Sequence, residues 1–210
     1  MDKTFYIIED HDMLRWGTIS YIQNKSSWKC LGDSKLPEKA ISDLESFARI
    51  DRLPGIVISD LNFKDKDSGF DLVKQMHGSY PNLKIIVFSM YSAPGYVQSA
   101  IRSGANGYIS KDASSDELID CMEQVLTGNQ FVQNGLRQKL EVYNSSMDSS
   151  IDALTKREKE VLNLLLMKKS NDQIAESMSL RRRAVENYIY SIYEKTNVSH
   201  DRAALLKKFG

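Results

Sequence analysis

From Phe5 to Glu117, short apolar runs alternate strictly with amphipathic stretches. Few chains of this length can satisfy such a pattern. Runs rich in β-branched residues, separated by helix-length segments, specify parallel strands joined by crossover helices. The strands read as Phe5–Ile8, Trp28–Leu31, Gly55–Ser59, Leu83–Phe88 and Gly107–Ile109. The helices read as Met13–Gln23, Pro37–Ala48, Asp71–His77, Tyr96–Arg102 and one opening at Ser114, where Ser114 and Glu117 have capping-box spacing. The expected fold is α/β, a doubly wound five-stranded parallel sheet of flavodoxin-like type. Such sheets bind ligands at the carboxyl ends of their strands.

After residue 128 the pattern changes. Residues 129–152 end in the polar run Asn144-Ser145-Ser146-Met147-Asp148-Ser149-Ser150 and are expected to be a linker, with a short helix around Leu136–Val142. From Leu154 onward the pattern is helical throughout. Thr155 with Glu158 spells a capping box, Ser170 caps a second helix, Ala184–Lys195 forms a third and Ala203–Lys208 a fourth. The chain therefore divides into 1–128, a linker at 129–152, and an all-α domain at 153–210. Its 210 residues suffice for two domains.

The net charge is zero but uneven. Residues 151–210 carry twelve Lys and Arg against eight Asp and Glu, and residues 1–150 carry sixteen against twenty. A basic tail behind an acidic front suits a polyanion-binding module attached to a regulatory one. No apolar run reaches the roughly 18 residues of a membrane span, and no signal peptide is expected. Cys30 and Cys121 form no CxxC pair, and His11, His77 and His200 are scattered, so no zinc site is expected. A cytoplasmic setting follows as the simple expectation.

Four strand ends carry chemistry. Glu9 and Asp10 follow the first strand, Asp60 the third, Ser89 the fourth and Lys111 the fifth. Three carboxylates converging at one sheet edge repel one another and call for a cation. Mg²⁺ fits an oxygen donor set. With Lys111 as a cationic clamp and Ser89 as a hydroxyl donor, Asp60 is placed to act as a carboxylate nucleophile toward a phosphoryl group. No separate substrate pocket or second catalytic acid is legible, so a phosphate-ester hydrolase is a poor fit and the chain is expected not to be an enzyme.

Residues 4–128 resemble the receiver domain of response regulators. The resemblance rests on Ile7-Ile8-Glu9-Asp10-His11, Val57-Ile58-Ser59-Asp60-Leu61-Asn62, Val87-Phe88-Ser89 and Gly104-Ala105-Asn106-Gly107-Tyr108-Ile109-Ser110-Lys111. It implies that a sensor histidine kinase phosphorylates Asp60. It also implies that Asp10, Asp60 and the Asn62 carbonyl bind Mg²⁺ with Glu9 nearby, that Lys111 pairs with the phosphoryl group, and that Ser89 bonds the phosphate while Tyr108 follows it inward. At most, slow autodephosphorylation is expected. The loop after Asp60 departs from the family. It lacks the usual Pro, and Gly69 arrives one residue late, so the loop at 63–68 is longer and more charged.

Residues 154–206 resemble the LuxR-type helix-turn-helix of the NarL/FixJ class, through Leu154-Thr155-Lys156-Arg157-Glu158-Lys159-Glu160-Val161-Leu162, Ser170-Asn171-Asp172-Gln173-Ile174-Ala175, Ala184-Val185-Glu186-Asn187-Tyr188 and Lys195-Thr196-Asn197-Val198. It implies double-stranded DNA as partner. Glu186, Asn187 and Tyr190 are expected near base edges, and Arg181, Arg182, Arg183 and Lys195 (with Lys168 and Lys169) near phosphates. Glu186 stands where the family often has Lys. A homodimer is expected in the active state, with Leu205, Leu206 and Phe209 as its candidate surface or, equally, as core. Two further readings stay open: a regulator that binds DNA without phosphorylation, and a phosphorylation-dependent adaptor that binds protein.

Overall fold

A computed structural model gives the fold. It describes residues 3–63, 69–151 and 153–209, without the side chains of 145–150. Two compact units emerge, Met1–Ser92 with Ser99–Gln133, and Ala93–Gln98 with Asn134–Gly210.

The first unit is built on strands β1 (Thr4–Ile8), β2 (Lys29–Ser34), β3 (Ile56–Ser59), β4 (Lys84–Ser89), β5 (Gly107–Ser110) and β6 (Phe131–Val132). All pairs are parallel, in the order β2-β1-β3-β4-β5-β6. The helices between them are α1 (Asp12–Lys25), α2 (Pro37–Arg49), α3 (Gly69–Ser79), α4 (Pro94–Arg102) and α5 (Ser115–Leu126). The doubly wound α/β expectation holds, with one strand more than expected. β6 has only two residues, too short to stand out as an apolar run.

Period-two alternation divides the core between the faces of the sheet. Phe5, Ile7, Ile56, Ile58, Ile86, Phe88 and Ile109 cluster with Ile22 of α1 and Leu118, Cys121, Met122 and Val125 of α5. The intervening Tyr6, Ile8, Val57, Ile85, Val87 and Tyr108 are also buried. Each such aliphatic or aromatic burial contributes about 1.5–3 kcal/mol, which fixes the register on which the strand ends depend.

The second unit contains α6 (Asn134–Ser150), α7 (Lys156–Leu166), α8 (Asn171–Ser177), α9 (Arg182–Thr196) and α10 (Arg202–Phe209). Residues 129–152, expected as a linker, thus hold β6 and a helix of 17 residues. Tyr143 is buried in the helical core and Leu140 packs against it, an anchoring that the polar run after it concealed. The capping boxes at Ser114/Glu117 and Thr155/Glu158 form as expected, and Ser170 forms another with Gln173. Each N-cap contributes about 1 kcal/mol. Leu205 and Phe209 are almost fully buried in this core and Leu206 packs against it, so of the two readings of these residues the structure selects core packing rather than a dimer surface.

The expected longer, charged loop after Asp60 falls on 64–68, outside the described residues. Its two ends are described. The Gly69 N–H donates to the Leu61 carbonyl at 3.1 Å, and a Cβ on Gly69 would lie 2.3 Å from the Leu61 Cα. The late glycine therefore still permits a backbone-on-backbone contact next to Asp60. Gly69→Ala is expected to destabilise the first unit by about 1–3 kcal/mol, because a backbone must move to admit the methyl group. Thermal unfolding of the full chain should show the transition of the first unit falling by several degrees, and an unchanged melting profile would refute the contact.

Candidate functional site

Register assembles the acidic site. Ile8 pairs with Ser59 and Ser89 with Ser110, so the residues that follow them emerge together at one sheet edge. The Asp60 N–H donates to the Ile8 carbonyl and the Lys111 N–H to the Ser89 carbonyl, both at 3.0 Å. The Lys111 Nζ lies 2.6 Å from Glu9 Oε2 and 2.7 Å from Asp60 Oδ2, with all three side chains almost fully buried. Burial pushes the Lys111 ammonium toward neutrality, but Asp60 and Glu9 outweigh it and raise its pKa. The other Asp60 oxygen, Oδ1, accepts from the Leu61 N–H at 2.6 Å. Asn62 follows in the half-buried start of the loop.

One ammonium cannot neutralise Glu9, Asp10 and Asp60 together. His11 stands at the mouth, its Nδ1 3.1 Å from Glu9 Oε1 and 3.0 Å from Asp10 Oδ1. Glu9, Asp10 and His11 form a group whose potential ligand atoms lie within 4.8 Å of one another. The carboxylate oxygens are hard donors and suit a hard divalent cation. Asp60 lies outside that group and turns one oxygen to Lys111.

Arg15 was not singled out from sequence. It is almost fully buried on α1, bonding the Glu9 carbonyl through Nη1 at 2.8 Å, Asp33 through Nε and Asp12 through Nη2, both at 2.6 Å. It therefore ties the turn carrying Glu9 and Asp10 to β2 and α1. The available signal was an arginine seven residues before Ile22, two turns along the same face of the helix.

Ser89 is buried at the end of β4, and its Oγ accepts from the Tyr91 N–H at 3.4 Å. The Tyr108 hydroxyl donates to the Tyr91 carbonyl at 2.7 Å, and its ring is fully buried. Tyr108 already points inward here, rather than waiting outside for an inward movement.

In the helical unit, α9 presents Arg183, Glu186, Asn187, Tyr190 and Glu194 as one exposed stripe of about 100°. Val185, Ile192, Tyr193 and Thr196 occupy its buried side. Arg181 caps the helix and is exposed. Arg182 spans Glu186 and Asp172, both at 3.0 Å. Lys195 lies off the stripe, its Nζ 2.8 Å from both oxygens of the buried Glu158, whose Oε1 also accepts from the Ser191 hydroxyl at 2.5 Å. The ammonium expected to meet phosphate thus ties α9 to the start of α7. Lys168 is exposed, while the Lys169 carbonyl accepts from Arg202.

Comparison with known proteins places both units. Residues 5–123 match the response regulator receiver domain, and residues 152–207 match the luxR family of bacterial regulatory proteins. The chain is 31% identical over 215 residues to the transcriptional regulatory protein ComA of Bacillus subtilis, covering 98% of this chain and 97% of ComA. It is 28% identical over 204 residues to DesR of the same organism, covering 97% and 95%. RcsB from Salmonella enterica serovar Typhimurium, solved on promoter P1flhDC with the phosphomimetic BeF3-, shares the fold at a TM-score of 0.70 and 20% identity, with 100% and 99% coverage.

Glu158 yields a pH prediction. Burial pushes its pKa up, but bonds from Lys195, Ser191 and the Thr155 backbone prevail and hold it at about 2, against 4.5 ordinarily. A depressed folded-state pKa contributes stability that is complete above about pH 4.5 and fades as pH falls toward 2, on the order of 3 kcal/mol in all. Glu158→Gln is expected to destabilise the helical unit at pH 7, with the gap to wild type narrowing below pH 4.5. Urea unfolding at pH 7 and pH 3.5 measures this; a gap independent of pH would refute it.

Proposed function

This chain belongs to the response regulators that join a receiver domain to a luxR-family output domain, and from that membership we propose that phosphorylation of Asp60 governs binding of the helical unit to double-stranded DNA. Response regulators with such a domain are transcription factors of two-component systems rather than ordinary enzymes. The observation that carries the assignment to Asp60 is its carboxylate, 2.7 Å from the Lys111 ammonium and bordered by Glu9 and Ser89 at adjoining strand ends.

A sensor histidine kinase supplies the phosphoryl group. A P–O bond forms at an Asp60 carboxylate oxygen as the P–N bond of the kinase phosphohistidine breaks. Glu9, Asp10, Asp60 and the Asn62 carbonyl would hold Mg²⁺, which supplies positive charge to the phosphoryl oxygens when bound. Lys111 stays within Coulomb reach of the group that arrives on Asp60. Ser89 accepts from the Tyr91 N–H through a lone pair, which leaves its O–H to donate to a phosphoryl oxygen. The Tyr108 hydroxyl holds the carbonyl of the same Tyr91, so the Tyr91 backbone links the two side chains. Slow loss of the phosphoryl group to water resets Asp60. Phosphorylation favours a homodimer, and the setting is the cytoplasm; among the described residues no helix is long and apolar enough to cross a membrane.

Incubation with Mg²⁺ and acetyl phosphate is expected to give one base-labile acyl phosphate, absent from Asp60→Asn. A modification that survives Asp60→Asn would sink the assignment. Selection from genomic fragments at moderate salt is expected to recover specific duplexes, bound more tightly by the phosphorylated chain. Glu186→Gln removes a carboxylate from the exposed stripe and releases Arg182 toward phosphate. It should tighten binding to any duplex several-fold and steepen the salt dependence by about one counterion. If no duplex is recovered and Arg182→Ala changes nothing, the output is not DNA binding.

A further inference from the structure

We infer that His200 belongs to the DNA-contact surface and meets a backbone phosphate as its imidazolium, so that DNA binding takes up a proton. The inference rests on the DNA-binding reading of α9 and names a residue that this reading did not include.

Asn197 ends α9 in the left-handed conformation, with φ 51°, and the chain turns back on itself. This return brings His200 against the C-terminal half of the exposed stripe. Its ring stacks on Tyr193 at 5.3 Å and meets Tyr190 edge-on at 4.8 Å. Its Nε2 lies 2.7 Å from Glu194 Oε1. The imidazole remains about half exposed, at 47%, and Tyr190 is 58% exposed beside it. His200 is therefore a built part of the surface that carries Arg183, Glu186 and Asn187, rather than a loop residue facing elsewhere.

The charge on that surface explains what the imidazole would do. The basic groups of α9 gather at its N-terminal end, as Arg181, Arg182 and Arg183. At the other end Lys195 is held by Glu158, away from the stripe, and the stripe itself carries Glu194. A phosphate approaching there meets a carboxylate. The charged groups around His200 are Glu194 on α9, its sequence neighbour Asp201, and Arg202 at the start of α10, with Tyr190 and Tyr193 as the flanking phenols. Protonating His200 neutralises Glu194 and offers an N–H to the phosphate. Histidine changes charge within the physiological range, and a polyanion stabilises its charged form. Linkage then requires that affinity fall as pH rises. The other two histidines of the chain, His11 and His77, belong to the first unit.

The test measures binding of the full chain to a duplex recovered from genomic fragments, at pH 6 and pH 8 and constant ionic strength. Wild type should bind roughly three- to tenfold more weakly at pH 8. His200→Gln should bind at both pH values as wild type does at pH 8, and His200→Lys, which keeps its charge, should lose the pH dependence while binding tightly at both. Helical circular dichroism of both variants checks the fold, and the contrast between Gln and Lys stands even if one variant is perturbed. Equal pH slopes in wild type and His200→Gln overturn this inference alone. A wild-type chain that binds no duplex at either pH overturns the DNA-binding reading, and this inference with it.

Discussion

Lys111 bridges Glu9 and Asp60 at 2.6 and 2.7 Å, and the strand ends of the first unit are arranged around that contact. Removing two carboxylates from water costs several kcal/mol each, and an ion at hydrogen-bond distance from both is the means by which the fold sustains that cost. Much of the first unit serves this contact. The β1–β3 and β4–β5 registers bring the three residues to one edge. Arg15 fixes the Glu9 carbonyl from below, and Gly69 lets the chain close over Leu61. A slip of one residue in any of these strands would turn the site inside out. Asp10 adds a third carboxylate that Lys111 does not reach and that meets His11 at 3.0 Å, so the cluster differs from a closed structural salt bridge.

The helical unit uses the same pairing to a different end. Glu158 is also a buried carboxylate held by a lysine, but it is fully satisfied, by Lys195, Ser191 and Thr155. Nothing is left over to bind a ligand. Its three partners come from the first turn of α7 and from α9, so one residue caps one helix and sets the rotation of another. Whether a carboxylate–lysine pair is chemical or structural is decided by the remaining lone pairs. Each Asp60 oxygen meets one partner, Lys111 or the Leu61 N–H, whereas each Glu158 oxygen meets two.

This distinction marks what could be read from sequence. Parallel strands must end together, so Glu9, Asp10, Asp60, Ser89 and Lys111 were legible as one set from strand order alone. Capping boxes were legible because their partners are three residues apart. The remainder depends on contacts between elements distant in sequence. Lys195 looked like a phosphate ligand because nothing local shows that Glu158, 37 residues earlier, would claim it. Arg15 was not singled out, because Asp33, its partner 18 residues on, reaches it only through β2. The helix expected around Leu136–Val142 is present, and the polar sequence of 144–150 hid only its extension past Tyr143.

The exposed face of α9 is nearly balanced in charge, and this governs how such a helix can select DNA. Arg182 is engaged by Glu186 and Asp172, so a phosphate must displace carboxylates to reach it. Sequence-independent attraction is thereby weakened, because counterion release scales with the number of free cations. Under the proposed DNA-binding reading, base-edge contacts from this face would then carry a larger share of the total binding. A strongly basic helix would hold any duplex, whereas a balanced one holds only where hydrogen bonds to bases offset the lost ion pairs. Under the proposed reading, such a module would give up part of its sequence-independent hold on a duplex, and a charge added at Asp60 could then decide whether it is bound.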